Sequence, residues 1–309
     1  MLCPVCSSQS KPSFEAKNYR FSKCDSSICG HVFVDPMPTM SELEAYYATS
    51  SPGLENSDSW TMSEDYASDP ELVHRFYQKN RIGFLERRGY LRPVSSVLDV
   101  GCSTGMFLRV LKDRGSVNLC GVDVSTEQME HCEKVNGIRA YRNLVDIPDD
   151  ETFDLVCLYA VLEHVPNPRE VLKNAVQRMS FDAHLIVDVP NYRSIYRYVA
   201  RKRWLWLIPP VHLQYFTPKS MERLASLENL EIEYASTKST STYTYILVHH
   251  LFELMRREIP NTSLSTSRFR TTLVFFFELI MRMLLSPLSV LMRFTGTHNQ
   301  IIYVFKKKV

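Results

Sequence analysis

From residue 95 onward the chain alternates between short apolar runs and stretches whose apolar positions recur every three or four residues. Runs at 97–100, 119–122, 153–159 and 184–189 read as buried strands, and 106–114, 126–136 and 168–179 as the helices between them. Strands alternating with helices predict an α/β fold built on a parallel, doubly wound sheet. Ahead of it, Asp69-Pro70 is an N-cap and first-turn pair. Leu72, Val73, Phe76, Tyr77, Phe84 and Leu85 then follow on one helical face, and Gly89 stands where such a helix ends. Ser41-x-x-Glu44 reads as a capping box opening a short helix, and residues 49–65 as a Ser/Asp-rich loop.

Composition narrows the reading. The chain has 309 residues, 45% of them hydrophobic and 23% charged, enough for a sizeable core. A net charge of +2 gives no support for a dedicated nucleic-acid-binding protein. The start, MLCPVCSSQS, lacks a basic segment followed by an apolar one, so no secretory signal is expected and the cytoplasm is the default compartment. Disulfides are rare there. Yet four of the eight cysteines, Cys3, Cys6, Cys24 and Cys29, crowd into the first 29 residues. Two close pairs separated by 17 residues can supply four thiolates to a tetrahedral, structural zinc. The four-residue gap in the second pair departs from the usual two, and His31 offers a replacement ligand if Cys24 points away.

The segment VLDVGCSTG, then 15 residues, then GVDVS carries the most chemistry. A strand ends in Asp99, a tight turn through Gly101 and Gly105 leads into a helix, and Asp123 closes the next strand. Glycines let the backbone approach a ligand, the helix N-terminus offers N–H groups, and a carboxylate after the second strand can accept both ribose hydroxyls. The pattern predicts a nucleoside cofactor. A dinucleotide is disfavoured, because Ser103 and Met106 stand where its fingerprint needs glycine.

At these residues the sequence resembles class I S-adenosylmethionine-dependent methyltransferases. Asp99-x-Gly101-x-Ser103-x-Gly105 looks like their first motif, with Ser103 where glycine is commoner. FDLVCLYAVLEHV, VPN at 189–191 and His212-Leu213-Gln214-Tyr215-Phe216-Thr217 resemble later motifs in order. The resemblance implies a mostly parallel seven-stranded Rossmann-like sheet. It implies a cofactor site of Asp99, Gly101, Cys102, Ser103 and Gly105, with Asp123 and Val124 at the ribose, Asp146 and Ile147 at the adenine, and Tyr159 beside them. The cysteine arm resembles a subgroup with an N-terminal zinc-binding segment, found among proteins of surface-polysaccharide and natural-product clusters. The implied layout is a zinc-ribbon-like segment at 1–38, a helical extension or lid at 39–92, and the cofactor-binding core at 93–239. An apolar helical insertion at 240–298 and a final strand at 299–309 complete it.

Methyl transfer also needs a base for a weakly acidic acceptor, and Glu163, His164, His212 and Tyr215 are the candidates at the expected edge of the sheet. The acceptor is expected to be a small molecule, a glycan or a lipid-linked precursor. Residues 193–206 hold five cations, no acids and two Trp, which suits an anionic acceptor or a contact with anionic lipid. The apolar stretch 271–292 has no uncharged run longer than 10 residues, too short to span a membrane. It is expected as a buried cap, a homodimer surface or a peripheral membrane-surface helix. A cofactor-binding protein without turnover and a nicotinamide oxidoreductase remain as alternatives.

Overall fold

The computed structural model describes residues 1–49, 70–92, 95–115, 118–237, 292 and 295–308. Of the insertion expected at 240–298 only 292 and 295–298 are described; the loop expected at 49–65, past its first residue, and the side chains of Leu72, Val73, Phe76 and Tyr77 lie outside the described residues.

The core is one seven-stranded sheet. Its strands are β4 (Val97–Val100), β5 (Leu119–Val122), β6 (Arg139–Tyr141), β7 (Phe153–Tyr159), β8 (Met179–Pro190), β10 (Leu230–Ser236) and β11 (Gln300–Lys307), in the order β10-β11-β8-β7-β4-β5-β6. β4 pairs in parallel with β5 and β7, β5 with β6, and β7 with β8; β11 runs antiparallel to β8 and to β10. This is the expected doubly wound, mostly parallel sheet. Both faces are covered, so successive residues enter opposite cores. Ile301, Tyr303 and Phe305 join one apolar cluster and Ile302 and Val304 the other.

The helices α3 (Met106–Lys112), α4 (Thr126–Lys134) and α5 (Pro168–Gln177) begin where the sequence places them. Asn167 caps α5 by accepting from the Glu170 N–H, and Pro168 fills the first turn. α2 (Pro70–Arg87) ends at Gly89, whose φ of +73° a side chain would strain. Its Ile82 and Leu85 are fully buried with Val97, Phe107 and Leu111.

Two local expectations change. α1 (Met40–Thr49) is capped by Thr39 and Glu42, not Ser41 and Glu44: the Thr39 hydroxyl accepts from the Glu42 N–H and the Glu42 carboxylate from the Thr39 N–H. β8 begins five residues before the expected 184. Of its added residues Met179 and Ala183 are buried, but Ser180, Phe181 and Asp182 between them are not, with Phe181 80% exposed, so no continuous apolar run marks them.

The arm folds as a small antiparallel sheet of β1 (Ser10–Ala16), β2 (Tyr19–Cys24) and β3 (Val32–Val34). Lys17 and Asn18, both at positive φ, make the two-residue hairpin turn. Its fourth strand comes from the core: β9 (Gln214–Tyr215) pairs with β3. An aromatic seam of Phe21, Tyr192, Trp204, Trp206 and Tyr215 closes the junction. Both Trp are therefore core residues, at 2% and 7% exposure, and do not serve a lipid surface. The fully buried His31 shares a 2.9 Å hydrogen bond with Gln214 Oε1.

Gln214→Ala should therefore loosen arm and core together. It strips His31 of a buried partner and the Val165 and Pro166 carbonyls of a donor. The expected cost is about 1–3 kcal/mol for each group left unpaired, read by denaturant unfolding.

Candidate active site and metal centre

The two ends of the candidate cofactor loop are held by opposite devices. Asp99, at the end of β4, is 5% exposed, and burial pushes its carboxyl up to about 7, opposed by the Arg81 guanidinium. The chain then turns through Gly101 and Gly105, at φ +71° and +78°. A Cβ at Gly101 would sit 2.8 Å from Val161 Cγ2, and one at Gly105 2.5 Å from Cys132 Sγ. Ser103 adopts φ +49°, so the position where glycine is commoner keeps its left-handed backbone at some strain. Asp123, after β5, accepts from the Ser103 N–H at 2.8 Å with one oxygen and from the Ser125 N–H at 2.9 Å with the other. The two strand ends are thus tied by a carboxylate that remains half-buried.

The remaining expected cofactor residues fall differently. Val124 is 67% exposed beside Asp123, an apolar surface free to cover a ring. Asp146 is exposed and accepts from the Asn143 backbone and side-chain amides, capping its own short turn. Ile147 is 1% exposed within the core, so its side chain cannot face a cofactor. Cys102 is buried, its thiol against the Ser103 carbonyl at 3.5 Å. Tyr159 is buried at the end of β7, and its hydroxyl has no hydrogen-bond partner among the described residues.

Sequence reasoning missed two groups here. Arg81, from α2, lies 4.2 Å over the Tyr159 ring. Asp188, in β8, is 3% exposed, its carboxyl pushed by burial up to about 7 and Arg81 opposing. VPN at 189–191 lay beside Asp188 without marking it, and Arg81, one of three Arg in α2, carried no signal of its own.

Across the sheet edge, Ala160 bends the chain out of β7 at φ +57°, its N–H donating to the Asp188 carbonyl. Glu163 and His164 follow. The Glu163 carbonyl accepts from both Leu213 and Gln214 N–H groups, at 2.7 and 3.1 Å, which brings His212 alongside. Ligand atoms of Glu163, His164 and His212 all lie within 4.8 Å of one another. His164 Nδ1 donates to the Val211 carbonyl at 2.8 Å and His212 Nδ1 to the Trp206 carbonyl at 2.9 Å. A carbonyl can only accept, so each neutral ring keeps its proton on Nδ1 and its lone pair on Nε2. Burial lowers both imidazoles from the usual value and pushes the Glu163 carboxyl up to about 8.

Tyr215 does not join this group. Its hydroxyl donates to the His212 carbonyl at 3.0 Å, and its ring sits in the aromatic seam among Phe21, Tyr192 and Trp204. It braces the His212 loop and offers no base.

The four arm cysteines converge as expected. Cys3 and Cys29 sulfurs are 3.9 Å apart, Cys6 and Cys24 sulfurs 3.5 Å, and all four lie within 4.8 Å of one another. Sulfurs about 2.3 Å from a tetrahedral zinc would be separated by nearly the same distances, so the donor set fits that ion. The wide Cys24–Cys29 gap is taken up by a turn in which the Cys29 and Gly30 N–H groups donate to the Ser26 carbonyl. His31 lies outside the four-cysteine group: its Nε2 shares the bond with Gln214, and its Nδ1 is buried without a partner among the described residues.

A family model described as a methyltransferase domain matches residues 71–235, more than half of the chain. The chain belongs to the methyltransferase-domain family. A mitochondrial ubiquinone biosynthesis O-methyltransferase of Candida albicans is 30% identical over 106 residues, 31% of this methyltransferase-family chain and 32% of that protein. Its namesake from Idiomarina loihiensis is 25% identical over 171 residues, 49% of this chain and 69% of that one. The chain spans about a third to a half of the length of most of these relatives. Among solved structures, an Archaeoglobus fulgidus SAM-dependent methyltransferase aligns with TM-score 0.45 and 18% identity, covering 76% of this chain and 98% of that one. The magnesium protoporphyrin IX methyltransferase from Synechocystis with bound SAH aligns with TM-score 0.47 and 13% identity, covering 77% and 84%.

Asp99 and Asp188 retain protons to about pH 7 when folded, but an unfolded chain releases them near pH 4. Between those values the folded state binds more protons, so stability falls as pH rises. The thermal midpoint of the protein without added ligand should drop across that window, and Asp188→Asn should flatten the slope. An unchanged slope in the variant would contradict the assignment.

Proposed function

We propose that this chain is an S-adenosylmethionine-dependent methyltransferase that acts on an oxygen of a small-molecule, glycan or lipid-linked acceptor. The observation that carries the reading is the meeting of two loops at one sheet edge. Val161, two residues before Glu163, packs against Gly101 of the cofactor loop closely enough to exclude a Cβ there. The ligand-holding turn and the Glu163–His164–His212 cluster are therefore neighbours.

When bound, S-adenosylmethionine supplies a methyl group already activated on a sulfonium. Asp123 would receive the ribose hydroxyls, Val124 would cover the adenine, and the buried carboxyls of Asp99 and Asp188, once ionised, would offset the cofactor's positive charge. The acceptor oxygen bonds to the methyl carbon as the carbon–sulfur bond breaks, the bonding pair returning to sulfur. The acceptor's proton leaves at the Glu163–His164–His212 cluster. His164 is the member an acceptor can reach, since its side chain is 33% exposed while that of Glu163 is 2%.

A cleft of about 590 Å³ between arm and core, lined by Lys11, Lys23, Arg193, Arg197 and Lys219, suits an anionic ligand; Glu163, His164 and His212 are not part of its lining. The relatives named as O-methyltransferases favour oxygen over nitrogen or carbon. We also assign a structural zinc to Cys3, Cys6, Cys24 and Cys29, holding an arm too small for a core of its own. Among the described residues no helix is long and apolar enough to cross a membrane. Peripheral lipid contact and a homodimer through residues 271–292 stay as proposals for a segment outside the described residues.

Titration calorimetry with S-adenosylmethionine tests the cofactor site. Asp123→Ala should bind it roughly one to two decades more weakly, the cost of a lost buried hydrogen-bond acceptor. Unaltered affinity would sink the ribose assignment. His164→Gln should keep cofactor affinity and lose methyl transfer. Elemental analysis of protein purified without chelator should find one zinc per chain, absent after Cys3→Ser with Cys29→Ser.

A further inference from the structure

Glu163, His164 and His212 pose an electrostatic problem that hydrogen bonding within the protein does not solve. Each imidazole has committed its Nδ1 proton to a backbone carbonyl, leaving Nε2 as a bare acceptor. Glu163 adds a carboxyl with Oε2 buried and unpaired among the described residues, while Oε1 lies 3.9 Å from His164 Nε2, beyond hydrogen-bond reach. One ligand atom from each of the three side chains lies within 4.8 Å of the others, and burial holds the Glu163 carboxyl up at about 8, so near neutral pH the one proton among them is its own. That proton can bridge two of the groups; a metal ion that displaces it can be shared by all three.

We propose that Glu163, His164 and His212 form a second metal site, separate from the cysteine arm, that binds a divalent first-row cation. The inference rests on the reading of this cluster as the acceptor-side chemistry. Two imidazoles and one carboxylate are a donor set such ions accept, and a three-ligand set leaves coordination positions open. Backbone carbonyls on both Nδ1–H groups are the support that metal-bound histidines require, because they fix the tautomer and aim the ring. Trp206 stacks on the His212 ring with planes 12° apart, which removes its freedom to swing out. The loop carrying Glu163 is held to the His212 loop by two backbone hydrogen bonds, so the set is organised before any ion arrives. The partial exposure of the His164 side chain supplies an entry path.

The ligand is a cation such as Mn(II), and an open position on it takes the acceptor's oxygen. Coordination would lower the pKa of that hydroxyl, so the proton that leaves at this cluster would pass to solvent, the three side chains acting as metal ligands in place of the base. Methyl transfer then proceeds with the same bonds made and broken as above.

The test uses the full chain with zinc retained in its arm, titrated with Mn(II) and followed by the electron paramagnetic resonance signal of free Mn(II). Thiolates favour softer ions, so the arm does not compete for this probe. Wild-type protein should bind one Mn(II) per chain. Glu163→Gln and His212→Gln should each bind it at least about tenfold more weakly, since loss of even an outer supporting group costs that much. S-adenosylmethionine affinity, measured on the same samples, reports that the variants remain folded. Absence of Mn(II) binding by the wild type, or equal binding by folded variants, overturns the metal site. In that case loss of methyl transfer in the variants would still uphold the cluster as the acceptor-activating group. Full methyl transfer in the variants would instead overturn the functional reading on which the site rests.

Discussion

The backbone carbonyl of Glu163 accepts two N–H groups, from Leu213 and Gln214, and much of the molecule hangs from that pairing. It fixes the loop after β7 against the loop before β9. On one side of the contact lie His164 and His212; on the other, Gln214 and Tyr215 continue as the strand that completes the arm's sheet. The Gln214 side chain repeats the connection, accepting from His31 Nε2 with its amide oxygen and donating to the Val165 and Pro166 carbonyls with its amide nitrogen. Arm, histidine-bearing edge and parallel sheet therefore share one hydrogen-bonded junction. Disturbance of the cysteine cluster has a short path to the histidines.

The second constraint is charge. Asp99, Glu163 and Asp188 are all buried at one edge of the sheet, and each carboxyl is raised by desolvation. Unpaired carboxylates in such a place are costly, and a protein that keeps three has spent stability on something. Arg81 offsets part of the cost at Asp99 and Asp188. A cationic cofactor on the β4 side and a metal ion on the β7 side would offset the rest. Positive φ at Ser103 and Ala160 adds strain at the same edge, as expected where geometry serves binding.

The sheet was legible because its strands are buried on both faces and read as continuous apolar runs: 97–100, 119–122 and 153–159 match β4, β5 and β7 to the residue. β6 escaped because three residues with one buried side chain carry no periodicity. The cofactor loop and the Glu163–His164–His212 group were legible through motif order, and the cysteine cluster through spacing alone. What sequence could not give was the direction of side chains. Ile147 turns into the core, Asp146 caps its own turn, and Tyr215 joins an aromatic seam that exists only because the arm docks there. Arg81 reaches the site from a separate helix, a long-range contact that no local pattern encodes.

β10 and β11 are neighbours in space but far apart in sequence. Ser236 pairs with Ile302, so the intervening chain leaves and re-enters the sheet at adjoining points. Loop-closure entropy grows only with the logarithm of length, about 0.6 kcal/mol for each doubling. The sheet is thus nearly indifferent to how many residues are strung between those two strands. The pairing of β10 with β11 therefore places little constraint on the length of that segment. The last hairpin works as a socket: relatives with the same catalytic edge can differ in what is plugged into it.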